Sequence, residues 1–145
     1  MRIALLSNPS SGRGRHAAAD DVARRLLTEA GHEVLHVRGS SYEQARDAGR
    51  ALLGDGPHRN VEALVVVGGD GMVHLGVDIV ATTGVPLGIV ATGTGNDIAR
   101  HFGLPSRDAE ASARLINQAL SGKGAITAVD AIYASRPDGT LLAPQ

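Results

Sequence analysis

The chain has 145 residues, a formal net charge of −1, no Cys, no Trp and 2% aromatic residues. That length suits about one domain with a real core, and the absence of Cys excludes a disulfide framework and any Cys-based metal site or nucleophile. The balanced charge and scarce aromatics give no electrostatic case for duplex DNA and no stacking platform for single strands, so no nucleic-acid partner is expected.

Ile3–Ser7 is a short apolar run closed by Asn8-Pro9 and reads as a buried strand. Asn8–Arg15 reads as a loop. From Ala19 the apolar residues Ala19, Val22, Ala23, Leu26, Leu27 and Ala30 mark one helix face, with Gly31 as its stop. Glu33–Arg38 is a second strand. Ser40 or Ser41 caps a second helix to about Leu53, with Ala45, Ala48 and Leu52 inward. Val61–Val67 is the strongest strand of the chain, and Gly71 to about Thr82 forms a helix. Pro86–Val90 is a fourth strand, Ile98–Phe102 a single helical turn, and Ser106 caps a helix to about Leu120. Ala125–Ala134 is a last strand-like run before the turn signal Arg136-Pro137-Asp138-Gly139.

Strands apolar on both faces, alternating with helices, predict an α/β fold with a parallel sheet covered on both sides. Such sheets bind ligands beyond the carboxyl ends of their strands. Three polar loops fall there: Asn8–Gly14, Gly68–Gly71 and Thr92–Asp97. Gly is 19 of 145 residues, about twice the usual share of about 7%, and seven of these glycines sit in the three loops. No apolar run approaches the roughly 20 residues of a membrane span. The N-terminal run is too short for a secretory signal, so the chain reads as cytoplasmic.

Gly68-Gly69-Asp70-Gly71 follows a strand and opens a helix, where free backbone N–H groups favour phosphate. A carboxylate between those glycines would hold Mg²⁺, orient a hydroxyl or bond a ribose. A plain tight turn with Asp70 as helix cap accounts for the tetrapeptide about as well. Gly93-Thr94-Gly95-Asn96-Asp97 brings a hydroxyl, an amide and a carboxylate, and an ordinary strand-to-helix connection is its bland alternative. Asn8–Gly14 adds Ser11 and Gly12, with Arg13 and Arg15 able to neutralise charge.

No phosphate-loop sequence ending in Gly-Lys-Ser/Thr exists. Gly12-Arg13-Gly14-Arg15-His16-Ala17 fits a dinucleotide-binding fingerprint only weakly, because four residues separate it from the strand. Arg38 keeps NADP as a minor alternative. The six histidines lack metalloprotease spacing, and most of them read as surface residues. The exception is His74, one turn into the helix after Gly71.

Asn8-Pro9-x-Ser11-Gly12, Gly68-Gly69-Asp70-Gly71, and Pro86-Leu87-Gly88-Ile89 leading into Gly93-Thr94-Gly95-Asn96-Asp97 resemble, in this order and spacing, the diacylglycerol kinase catalytic domain. That family includes bacterial soluble lipid kinases, ceramide kinases and sphingosine kinases, and the resemblance covers about Arg2 to Lys123. It implies a three-layer α/β/α domain of the phosphofructokinase-like type that binds ATP with Mg²⁺. Carried over residue by residue, it implies nucleotide contacts from Asn8, Ser11 and Gly12, and from Ser40 or Ser41. It implies a phosphate cradle of Gly68, Gly69, Asp70 and Gly71, with Met72 and His74 beside it. Thr94, Gly95 and Asn96 would meet nucleotide from the other loop, and Asp97 would brace that loop or help place Mg²⁺ or the acceptor. Asp70 is the candidate for a chemical role; the metal ligands are not assigned.

Two departures stand out. Met72 replaces a Thr found in many members, and His74 is followed by Leu75 where many have Glu; His74 itself matches sphingosine kinase-like members. Members also continue into a second, mainly β domain that builds the lipid cleft and, in bacterial members, carries an acidic residue regarded as the general base. The expected division is therefore 1–124 as the nucleotide-binding domain and 125–145 as the start of a truncated second domain, weakly active or inactive alone. The reaction implied moves the γ-phosphoryl of Mg-ATP to the primary hydroxyl of a diacylglycerol-like lipid, reached peripherally at the membrane surface. A homodimer is left open. A NAD kinase-like enzyme and a non-catalytic nucleotide-binding or dimerisation module are the alternatives.

Overall fold

The computed structural model describes residues 1–7, 15–37, 39–54 and 60–129. Four strands and five helices follow in chain order: β1 (Arg2–Ser7), α1 (Arg15–Glu29), β2 (Glu33–Val37), α2 (Tyr42–Leu53), β3 (Ala63–Gly68), α3 (Asp70–Val80), β4 (Leu87–Ala91), α4 (Asp97–His101) and α5 (Ala109–Leu120). The strands form one sheet in the order β2-β1-β3-β4. Every pairing is parallel, with Leu5 opposite His36 and Val65, and Val65 opposite Gly88. This is the α/β architecture expected from the alternating pattern.

The sheet separates two apolar layers. Ala4, Leu6, Leu64 and Val66 point to one side and pack with Ala45 and Leu53 of α2 and Val73, Leu75 and Ile79 of α3. Ile3, Leu5, Val65 and Val67 point to the other, against Ala19, Ala23 and Leu27 of α1 and Ile116 of α5. Alternation along a strand sends neighbouring side chains to opposite faces, so β1 and β3 feed both cores. All six residues of β3 are buried, and each fully buried Val or Leu stabilises by about 1.5–3 kcal/mol. The chain runs out from β1 to β2 and returns past β1 to β3. The β1/β3 boundary is therefore the switch point of the sheet, where α/β proteins bind ligands.

Several elements differ from the sequence reading. Helix α1 begins at Arg15, a turn before the first apolar position of the pattern at Ala19, so it takes in Arg15, which read as the end of the loop. The buried residues of α2 are Ala45, Gly49 and Leu53, while Ala48 is exposed and Leu52 half-buried. A Cβ at Gly49 would meet Ile79 Cδ1 at 2.6 Å, so α3 presses on that spot. Helix α5 is capped by Asp108, whose Oδ1 accepts from Ala111 N–H at 2.9 Å, and not by Ser106. Ser106 instead forms an isolated parallel bridge with Ala91. Residues 125–129 are exposed and form no strand, having no ladder partner among the described residues. The rest of the expected strand, and the turn at Arg136, lie outside the described residues.

Candidate functional site

Because all four strands are parallel, the Gly68 and Ala91 ends of β3 and β4 share one edge, and the loops leaving them run side by side. The Thr92 N–H donates to the Gly68 carbonyl at 2.9 Å, tying the two at their roots. Beyond that bond the backbones touch. A Cβ at Gly93 would lie 2.7 Å from Gly69 Cα, and one at Gly69 would lie 3.3 Å from Gly93 Cα. Any larger residue at 93 would push the loops apart, so this contact explains glycine there and leaves a Cβ at 69 a tight fit.

Asn96 holds the second loop in shape. It is 3% exposed and sits in the left-handed region, φ 52° and ψ 44°, which Asn tolerates better than most residues. Its Oδ1 accepts from Gly93 N–H at 3.0 Å, and its Nδ2 donates to Gly93 O at 2.7 Å and to Ser106 Oγ at 2.8 Å. Both amide hydrogens are thus used inside the protein. Thr94 is exposed at the loop tip. Asp97 is exposed and pairs with Arg100 at 2.8 Å.

Asp70 is half-buried in the first turn of α3. Its Oδ1 receives a long hydrogen bond, 3.5 Å, from Ile98 N–H at the start of α4. Its Oδ2 lies 3.0 Å from where a Cβ at Gly95 would stand, and Asp97 Oδ1 lies 3.7 Å from that same point. Gly95 thus leaves room for two carboxylates to converge, one from each loop. Gly71 is different from the other glycines of these two loops. It is exposed, and a Cβ there would meet nothing within 4 Å. The N-cap of α3 is Gly69, which has no side chain to bond the first N–H groups.

Met72 packs its side chain against the α2/α3 core, which uses the departure from Thr for packing, and His74 is half-buried one turn on. Ser41 is the N-cap of α2, its Oγ accepting from Gln44 N–H at 3.1 Å, and Ser40 Oγ bonds Gln44 Oε1. These two hydroxyls therefore serve the start of α2, beyond the β2 end of the same sheet edge. Asn8, Ser11 and Gly12 lie outside the described residues, as do Arg13 and Arg38. Gly68, Gly69, Asp70, Gly71, Thr94, Gly95, Asn96 and Asp97 are brought together.

Sequence reasoning missed three contributors. His16 is not a surface residue: it is half-buried in the first turn of α1 and its Nδ1 shares a 2.5 Å hydrogen bond with the Thr92 hydroxyl. Arg107 reaches back so that its Nε donates to Gly93 O at 3.3 Å. On α3, buried Asp78 accepts from Tyr42 Oη at 3.3 Å and pairs with Arg50 at 2.9 Å, clasping α2 to α3. Burial, then the Asp78 charge and its hydrogen bond, raise the Tyr42 hydroxyl above its ordinary pKa. A carboxylate in the apolar second half of α3, between Val77 and Ile79, is the sequence signal for that clasp. Nothing in the sequence marked His16 or Arg107. Among the described residues no group of three or more His, Asp or Glu is arranged to hold a metal ion, and no helix is long and apolar enough to cross a membrane.

Comparison with known proteins identifies the family. Residues 2–130 match the model of the diacylglycerol kinase catalytic domain. The chain is 36% identical over 115 residues to diacylglycerol kinase from two strains of Mycobacterium tuberculosis, CDC 1551 / Oshkosh and H37Rv. That alignment takes in 79% of this chain but 36% of the relative, so the chain spans about a third of the length of the curated relatives it matches. A solved structure of a diacylglycerol kinase from Bacillus anthracis str. Sterne superposes with a TM-score of 0.62 at 25% identity, over 81% of this chain and 39% of that one. Another from the same strain gives 0.59 at 28% identity, over 81% and 40%. The chain belongs to the diacylglycerol kinase catalytic domain family.

Proposed function

We propose that this chain is the nucleotide-binding part of a lipid kinase that moves the γ-phosphoryl group of Mg-ATP to the primary hydroxyl of diacylglycerol or a similar lipid. Residues 1–124 form that part in this reading, and 125–145 lead toward a β-rich lipid-binding domain. The observation that carries it is Gly71: a glycine that no contact among the described residues requires, with open space over its Cβ position, at the N-terminus of α3 and next to Asp70. A phosphate approaching that backbone explains the missing side chain.

Phosphoryl transfer asks mainly for positioning and charge neutralisation. The first N–H groups of α3 would hold phosphate oxygens. Asp70 would orient the acceptor hydroxyl or contribute to a cation site with Asp97. One or two carboxylates plus substrate phosphates is the ordinary surrounding of Mg²⁺, so the donor set fits that ion. The ion would neutralise charge on the transferring group. Thr94, exposed at the loop tip, would meet nucleotide from the other side. The base that takes the hydroxyl proton is assigned to the lipid-binding domain. Work at the cytoplasmic membrane surface without insertion goes with this reading.

Calorimetric titration with Mg-ATP tests the nucleotide half, and radiolabelled phosphate transfer to a lipid panel by the full-length gene product tests the rest. Asp70→Asn should lower turnover about 10²-fold or more while the fold survives. A well-folded sample with no nucleotide affinity would overturn the reading.

A further inference from the structure

Three non-glycine residues have positive φ among the described residues: Thr82, Asn96 and Arg107. Thr82 lies in the turn after α3. The other two converge on one residue, Gly93, from three and fourteen positions further along the chain. Asn96 brackets Gly93 N–H and carbonyl with its amide. Arg107, at φ 56°, sends Nε to the same carbonyl at 3.3 Å. Its own N–H donates to Ala91 O at 2.8 Å, so the chain returning from α4 is anchored to the end of β4 before the guanidinium reaches forward. An unfavourable backbone conformation at a bulky residue persists only where its surroundings over-determine it. Gly would hold φ 56° without strain, yet an Arg stands there, and what the Arg adds is its guanidinium.

That guanidinium has no ion-pair partner among the described residues. The adjacent carboxylate, Asp108, is engaged as the cap of α5. Arg107 and Thr92 line one cleft with Ala18 and Val22 of α1. The residue therefore acts on the second glycine loop and not on a surface charge.

We infer that Arg107 is a positioning residue: with Asn96 it clamps the Gly93 carbonyl and keeps the 93–97 loop pressed on Gly69, which sets the spacing between the two loops that face the phosphates. The role rests on the proposed use of those loops. Displacing a reacting group by about 1 Å can cost about 10²-fold in rate, and the 2.7 Å approach of a Gly93 Cβ position to Gly69 leaves no slack in one direction. The loop is otherwise tied at its ends, by Thr92 N–H to Gly68 O and by Ile98 N–H to Asp70 Oδ1, and among the described residues the Gly93 carbonyl is held by Asn96 and Arg107.

The test compares Arg107→Gly, Arg107→Met and Arg107→Lys in the full-length protein. Arg107→Gly relieves the backbone strain, so a merely structural role predicts unchanged behaviour or a gain. Positioning predicts a Tm equal to or above the wild type, about tenfold faster amide exchange confined to 92–97, and a kcat lowered about 10- to 100-fold. Arg107→Met, which keeps the stem without a donor, should lose kcat similarly. Arg107→Lys, which keeps a donor, should recover most of it. Wild-type kcat and exchange in Arg107→Gly would overturn the inference, as would a global rise in exchange with a lower Tm. If the wild type transfers no phosphate, the kinase reading fails, and the exchange arm alone still decides whether Arg107 holds the loop.

Discussion

Adding a single methyl at Gly71 separates the needs of the fold from those of a ligand. Gly71 is the second residue of α3, is exposed, and has no positive φ. A Cβ there meets nothing within 4 Å, so Gly71→Ala has no steric cost to the protein. Replacing Gly by Ala inside a helix stabilises by about 0.5–1 kcal/mol, less in a first turn. For a domain of this size that is a Tm rise of about 1–4 °C. Phosphate binding should move the other way. If a methyl displaces one charge-assisted hydrogen bond worth about 1.5–3 kcal/mol, Mg-ATP affinity falls about 10- to 100-fold. Thermal melts and calorimetric titration on the same sample read the two effects. A raised Tm with unaltered nucleotide affinity would refute the claim that Gly71 is kept open for phosphate. A fall of several degrees would refute the packing argument beneath it.

Two further outcomes follow from the described contacts. Asn96→Ala deletes three hydrogen bonds and forces Ala into the left-handed region, so it should cost about 2–3 kcal/mol; Asn96→Gly should cost about 1 kcal/mol less, because it removes the backbone term alone, and urea midpoints measure the difference. Tyr42 has its pKa raised above 10.0 by burial first and by Asp78 second: the neutral hydroxyl is favoured in the fold, so this stability is full below pH 10.0 and is lost as pH rises through the raised folded value. Tyr42→Phe should flatten the alkaline limb of stability against pH, and an unchanged limb would show that another group governs it.

The architecture was legible because parallel strands buried on both faces leave continuous apolar runs, and β3 is the clearest of them. Parallelism then delivered the shared edge of the two glycine loops without any knowledge of contacts. Element ends were less legible. The first turn of α1, Arg15-His16-Ala17-Ala18, carries no capping signal among its own residues. Ser106 and Asp108 are both good caps, and the choice went to Asp108 because Ser106 is held at Ala91 and by Asn96. The inward face of α2 departs from its apolar positions at Ala48, which is exposed. It is Gly49 that meets α3, a requirement set by Ile79, which lies 30 residues away in sequence.

The site shows the same limit at higher stakes. Gly-Thr-Gly-Asn-Asp reads from sequence as five residues of one kind, a polar loop offering groups to a ligand. Folded, they divide. Gly93 serves contact with Gly69, Asn96 turns inward and spends both amide hydrogens on the loop and Ser106, and Thr94 and Asp97 remain exposed. The division depends on one left-handed residue, since Asn96 in an extended conformation would not bracket Gly93. On the proposed function, a loop held by its own amide and by Arg107 would need little further ordering to meet a nucleotide, so less affinity would be lost to immobilisation. The exposed pair, Thr94 and Asp97, are then the residues of this loop whose substitution should change binding without changing stability.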